Sequence, residues 1–426
     1  MKYKPRIADD LLKLKLEAFG AVLIKGPKGC GKTTTAKQIA KSYIEFQDEN
    51  LRDNYLTIAD VSPSRLLDGE KPRLFDEWQD APKIWGAIRK EIDDTGEKGM
   101  FILTGSSSRD VKTAHSGTLR IANLDMLPMS LWESEESNGT VSLKELFSNG
   151  KSFESCQSDL TLDQLIFAMC RGGWPSSLNV NSDSGKLEIA KELFRQICNV
   201  DAYRIDEECN DPMIARGILT SYARNIATLA TSKTIHQDAS GYRTFNNDTF
   251  YKYLNALEKL YIIQDIEAWS PAIRSKTAVR SSRKRNLIDP SLACAILGLA
   301  PEYFNNDFKT LGFLFESLCI RDLKAYTATS GGSVSYYRDR YQLEADAVLH
   351  LDDGRYALVE FKLGGKEIDK GIQHLNEIEG LIKEYNINEK QVPLPLPTLK
   401  LVITATAYGY RADNDVLVVP IGCLKD

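Results

Sequence analysis

Gly26-Pro27-Lys28-Gly29-Cys30-Gly31-Lys32-Thr33 is the stretch whose reading decides the fold. It fits Gly-x-x-x-x-Gly-Lys-Ser/Thr and stands where that pattern has physical meaning: directly after the apolar run Ala21-Val22-Leu23-Ile24, before a helical stretch read from Thr34 to Phe46. Glycines at 26, 29 and 31 let backbone N–H groups of the loop, among them those of Lys28 and Cys30, curl round a phosphate. Lys32 is expected to neutralise the β and γ oxygens, and Thr33 to offer its hydroxyl to magnesium. Thr34 opens a helix whose N-terminal dipole adds further attraction for the anion.

Working outward, a strand ending in acid follows at Arg73-Leu74-Phe75-Asp76-Glu77. Asp76 is expected to hold the magnesium-bound water, and Glu77 to polarise the attacking water as general base. A third apolar run, Met100 to Leu103, leads into Thr104-Gly105-Ser106-Ser107-Ser108, making Thr104 or Ser106 the candidate sensor of the γ-phosphate. No Asn-Lys-x-Asp guanine-reading motif occurs, which favours ATP over GTP. Apolar runs at 21–24, 55–58, 73–75 and 100–103 alternate with helical stretches such as Ile84 to Ile92, and that order predicts a parallel sheet wrapped by helices.

The chain has 426 residues, which predicts two to four domains at roughly 100–200 residues each. With 42% hydrophobic and 27% charged residues and a net charge of −5, it reads as globular; the small acidic balance argues against nonspecific coating of nucleic acid. No apolar run of about 18 residues and no signal-peptide pattern occurs, so a cytoplasmic protein without a membrane partner is expected. Eight scattered cysteines, with no zinc spacing, read as reduced and mostly buried thiols.

The boundaries read from the sequence are 1–135 for the nucleotide-binding unit, 136–205 for a linker and helical lid, 206–275 for a mostly α region, and 276–426 for a small α/β unit. In the third of these, helices lead into Asn246 to Leu260 and then Tyr261-Ile262-Ile263, an order similar to a winged helix-turn-helix. Asn246, Asn247, Thr249, Lys252 and Tyr253 are its candidate groove-facing residues. The basic run Arg274, Lys276, Arg280, Arg283, Lys284 and Arg285 is a candidate phosphate clamp, with a solvated loop as the competing reading.

Leu343 to Leu351 and Arg355 to Leu363 flank Asp352-Asp353-Gly354, a natural hairpin turn. If Leu351 pairs with Arg355, Asp346 faces Glu360 across the ladder, and Lys362 shares their face. Two carboxylates and a lysine so placed form a candidate second metal site. The competing reading is a cross-strand salt bridge that binds no divalent ion.

The strand order, Leu74-Phe75-Asp76-Glu77-Trp78-Gln79 and Leu103-Thr104-Gly105-Ser106 resemble the AAA-type P-loop ATPases of prokaryotic genomes, in many of which a C-terminal domain of unknown function follows. The likeness extends through Ser116-Gly117-Thr118-Leu119-Arg120, Leu127-Pro128-Met129-Ser130 and Gly172-Gly173-Trp174-Pro175. It implies that Arg120 acts as a finger or sensor, although the chain reads Gly-Thr-Leu-Arg where Gly-Arg is usual, and it implies a homo-oligomer. The C-terminal constellation resembles the restriction-endonuclease-like fold, with Glu316 and Gln373 at that fold's auxiliary positions. The expectation is an Mg2+-dependent ATPase coupled to double-stranded DNA. The competing expectation is a slow nucleotide-dependent switch whose C-terminal domain binds a protein and cuts nothing.

Overall fold

The computed structural model describes residues 3–105, 117–272, 282–339, 342–388 and 393–426. Five parallel strands, β1 (Ala21–Lys25), β2 (Ser42–Glu45), β3 (Arg73–Asp76), β4 (Phe101–Thr104) and β5 (Ile121–Asp125), form one sheet in the order β2-β3-β4-β1-β5. Alternation along β1 builds both faces, as a period of two requires. Ala21 and Leu23 join a core with Ile84, Ile88 and Ile92 of the helix Lys83–Thr95. Val22 and Ile24 join a core with Leu12, Leu16 and Ala36 from the helices Ile7–Ala18 and Lys32–Ile39. Insertion of β4 between β1 and β3 brings Thr104 level with Ile24 on one side and with Asp76 on the other.

Two elements differ from the sequence reading. The helix after the loop stops at Ile39, and Ser42–Glu45 is a strand paired in parallel with Arg73–Asp76. Tyr55-Leu56-Thr57-Ile58, read as a strand, lies inside the helix Arg52–Val61. A four-residue apolar run fits either period, and here only Ala59 of that helix is buried, so the segment covers the sheet instead of joining it.

The segment read as the start of a linker is drawn into the C-terminal half. There β6 (Val141–Ser142) pairs with β14 (Leu424–Lys425), and β7 (Ser155–Gln157) forms the edge of a seven-stranded sheet. The other six strands are β8 (Ser333–Arg338), β9 (Glu344–His350), β10 (Tyr356–Lys362), β11 (Leu399–Thr404), β12 (Tyr408–Arg411) and β13 (Val416–Pro420), in the order β7-β12-β13-β11-β10-β9-β8. The hairpin takes the expected register: Leu351 N–H donates to Arg355 O, and Tyr356 pairs with His350 through to Val359 with Ala347. One face packs on the helix Phe308–Ala328, which is buried on most sides; the other packs on Gly365–Asn388.

Between the sheets, the helices Leu162–Arg171, Asp183–Gln196, Pro212–Arg224, Ser232–Ser240 and Asn247–Lys259 share a core that reaches Leu292, Leu311 and Leu314. Among the described residues no helix is long and apolar enough to cross a membrane.

Candidate active site

The loop after β1 bends at three glycines with positive φ, Gly26, Gly29 and Gly31, as the phosphate-cradle reading requires. Gly26 has a second constraint, because a Cβ there would lie 2.2 Å from Met126 O at the end of β5. Lys32, nearly buried, turns back over the loop and donates to Gly26 O at 3.0 Å and Pro27 O at 2.9 Å. Asp76 Oδ1 accepts from Thr33 Oγ1 at 2.7 Å and also from Thr104 Oγ1. The loop, β3 and β4 thus meet on one carboxylate oxygen. The hydroxyl-plus-carboxylate pair Thr33 and Asp76 suits a hard cation with oxygen ligands. Glu77 follows with φ 53° and ψ 48°, and Gln79 Nε2 donates to its Oε2.

Contacts that were not read from the sequence tie this loop and its surroundings to the rest of the chain. Arg6 donates from Nη1 to Cys30 O and from Nη2 to Leu127 O, both at 2.8 Å, and from Nε to Glu133 Oε1 at 2.9 Å. Glu133 also accepts from the Ile7 and Ser130 amides, so this buried pair is fully hydrogen-bonded. Lys28 lies 3.6 Å from Asp201 in the helical region, and a Cβ at Gly31 would touch Pro175 at 3.5 Å. Gly173 presses so closely on Met129 that a Cβ would meet its carbonyl at 2.1 Å; Met129 N–H donates to Gly173 O in return.

From there the contacts continue inward. Gly173 N–H donates to Asp289 Oδ2, Arg321 bridges Asp289 and Asp322, and Asp322 Oδ2 accepts from Leu131 N–H at 3.0 Å. The one signal for this network in the sequence is Arg321-Asp322 itself, two charges inside the apolar run Leu318-Cys319-Ile320 and Leu323.

Other candidates fall elsewhere. Arg120 immediately precedes β5, whose register with β1 places it at the strand edge opposite the loop. Its Nε donates to Asp93 Oδ1 at 2.7 Å on the surface, and it does not reach its own chain's phosphate loop. Ser106 lies outside the described residues, as do Arg274, Lys276 and Arg280 of the basic run. Of the rest of that run, Lys284 is buried among acids and Arg285 is buried against Asp265, so neither is free to clamp phosphate, while Arg283 is exposed and pairs on the surface with Glu267.

The C-terminal cluster assembles as a set of ion pairs. Lys362 Nζ lies 2.6 Å from Glu360 Oε2 and 3.8 Å from Asp346 Oδ2, and Asp346 Oδ2 accepts from Phe361 N–H at 2.9 Å. Glu316 is paired with Lys284 at 2.8 Å. Gln373 is exposed: Gly371 and Leu375 carry the sheet-facing side of their helix, and His374 Nδ1, 3.7 Å from Glu360, stands nearer. Burial, reinforced by Asp346, pushes the Glu360 carboxyl up to about 8, and burial pushes Glu316 up to about 7 against the attraction of Lys284. Among the described residues no group of three or more acids, histidines or cysteines is gathered closely enough to hold a metal ion, and the acids expected at a second metal site are engaged by lysines.

The family described as "AAA domain" matches residues 18–135, and two families described only as domains of unknown function, DUF8612 and DUF4143, match residues 162–303 and 311–424. No curated protein matches the chain. Among solved structures, the Walker-type ATPase PABY2304 of Pyrococcus abyssi is 14% identical over 68% of this chain and 94% of its own, with a TM-score of 0.40. The replication initiator DnaA bound to AMPPCP and single-stranded DNA is 11% identical over 59% of this chain and 86% of its own, with a TM-score of 0.28. RuvB of Thermotoga maritima is 17% identical over 60% of this chain and 88% of its own, also at 0.28. Residues 18–135 thus match an AAA domain with a P-loop, followed by a helical segment and a C-terminal segment that match the two families of unknown function.

Proposed function

We propose that the chain binds Mg-ATP at residues 26–34, hydrolyses it slowly, and uses the change in loop contacts as a switch read by its C-terminal half. The observation that carries the catalytic part is the meeting of Thr33 and Thr104 hydroxyls on Asp76 Oδ1 beside the lysine of the loop. Lys32 exchanges the Gly26 and Pro27 carbonyls for phosphate oxygens, which are stronger acceptors for an ammonium. Thr33 and Asp76 would hold a magnesium ion, which would supply positive charge to offset that of the phosphates. Glu77, steered by Gln79, takes the proton of the attacking water, and Thr104 positions the γ-phosphate side of the site.

The switch reading is favoured over a DNA-processing machine by the fate of the basic run. Lys284 and Arg285 serve as internal counter-ions, and the described remainder, Arg283, is paired with Glu267. The ion pair of Lys28 with Asp201 and the packing of Gly31 near Pro175 give nucleotide occupancy a route into the helical domain.

A second reading, DNA contact, is supported by local order. The helices Pro212–Arg224, Ser232–Ser240 and Asn247–Lys259 are followed by antiparallel bridges Ile263 to Leu287 and Ile266 to Lys284, the sequence of elements in a winged helix.

ATP turnover by the purified chain, with and without double-stranded DNA, tests both. Lys32→Ala is expected to abolish tight ATP binding; Glu77→Gln is expected to keep binding and lose hydrolysis by about 10²–10⁴-fold. Normal binding in the first variant defeats the loop assignment. DNA-indifferent turnover supports the switch, whereas stimulation by DNA moves the assignment to the winged-helix reading.

A further inference from the structure

Lys284 enters the C-terminal carboxylate cluster from a backbone position that is fixed on both sides. Ile266 N–H donates to Lys284 O, and Lys284 N–H donates to Ile266 O. Extended backbone sends consecutive side chains opposite ways. Arg285 therefore turns into the helical domain, donating to Asp265 and Ala230 O, while Lys284 turns into the C-terminal domain.

There its ammonium, only 3% exposed, lies 2.8 Å from Glu316 Oε1, 2.7 Å from Glu344 Oε1 and 3.4 Å from Asp346 O. An ammonium has three protons and no acceptor, so these three oxygens use all of it. The Tyr336 ring, 5.3 Å from Nζ, closes one side with a further favourable cation contact. A magnesium or manganese ion would need the same oxygens at about 2.0–2.2 Å, on ground already held by a positive charge. The remaining acids are served in the same manner, by Lys362 on Glu360 and Asp346.

We propose that Lys284 is a tethered cation standing in the place of a divalent metal ion: it neutralises Glu316 and Glu344, binds the helical domain to the C-terminal one, and closes the cluster to metal. The C-terminal domain thus assembles without a metal ion and does not cleave phosphodiester bonds. This stands apart from the ATPase reading, because everything it predicts is measured without nucleotide.

The test uses the nucleotide-free full chain with Mn2+ as probe, following loss of the free-ion spin-resonance signal, and thermal unfolding with and without chelator. The expected results are no Mn2+ binding that Glu316→Gln or Asp346→Asn removes, and a midpoint indifferent to chelator. Lys284→Met is expected to lower the midpoint by several degrees, since it leaves the buried Glu316 carboxylate unpaired, and Lys284→Met with Glu316→Gln is expected to recover part of that loss. Mn2+ binding abolished by either acid variant overturns the proposal. So does a double variant no more stable than Lys284→Met, because the lysine would then contribute packing and not charge. Should Lys284→Met fail to fold, the Mn2+ titration of the wild-type chain beside Glu316→Gln still decides.

Discussion

Replacing Arg321 by Met keeps most of the side-chain volume and deletes one charge at the centre of the chain. Arg321 donates to Asp289 Oδ2 at 2.8 Å and to Asp322 Oδ1 at 2.7 Å, and both carboxylates are fully buried. Removing one partner of such a pair costs about 3–5 kcal/mol, because the charge left behind has neither water nor counter-ion. At 1.4 kcal/mol per factor of ten, that corresponds to a rise of roughly a hundredfold to a few thousandfold in local opening. A chain of several domains has no single unfolding equilibrium, so the assay is amide hydrogen exchange. The reporters are Gly173 and Leu131, whose N–H groups donate to Asp289 and Asp322.

Acid should soften the defect. Burial already pushes the Asp322 carboxyl up to about 6, and loss of Arg321 raises it further, so lowering the pH protonates the acid and removes the uncompensated charge. Unchanged exchange at Gly173 and Leu131 would refute the idea that this pair ties the loop-bearing and C-terminal domains together. So would an exchange defect that ignores pH.

Arg6→Met should weaken ATP binding by about tenfold or more, since it deletes charge-assisted hydrogen bonds to Cys30 O and Leu127 O that are each worth about 1.5–3 kcal/mol. Titration with a fluorescent ATP analogue measures this, and undiminished affinity would detach Arg6 from the shaping of the loop. Stability should also depend on pH through Glu360. Its folded-state carboxyl is raised to about 8, so its contribution is complete below its ordinary value near 4.5 and is lost as pH climbs through about 8. Wild-type melting temperature should fall over that window, with Glu316 acting in the same direction, and Glu360→Gln should flatten the profile; matching profiles would count against the burial argument. Arg120→Ala should leave ATP binding and stability close to wild type, because an exposed pair such as Arg120 with Asp93 is worth about 0–1 kcal/mol. A loss of turnover at every protein concentration would contradict its placement at the far edge of the sheet.

Local pattern carried much of the fold. The loop motif requires a strand before it and a helix after it, and Ala21–Lys25 and Lys32–Ile39 supply them. The hairpin register followed from the length of the Asp352-Asp353-Gly354 turn, since one slip would move every side chain to the other face. Short elements without a strong period were less legible: Ser42–Glu45 and Tyr55 to Ile58 changed places between strand and helix. The edge strand Ser155–Gln157 was hidden because it pairs with Tyr408–Arg411, from the other end of the chain.

By itself, then, the sequence determined the glycine loop between strand and helix, the Asp76-Glu77 strand end and the shared face of Asp346, Glu360 and Lys362, all of which depend on neighbours along the chain or across one turn. Tertiary structure alone decided where the charges went. Lys284 and Arg285 look like solvated basic residues in sequence, yet each is buried against acids from another element. Arg6 reaches Glu133, and Arg321 reaches Asp289, across long stretches of chain. A buried charge is tolerated only where a partner is brought to it, and that partner is chosen by packing, which no local spacing encodes.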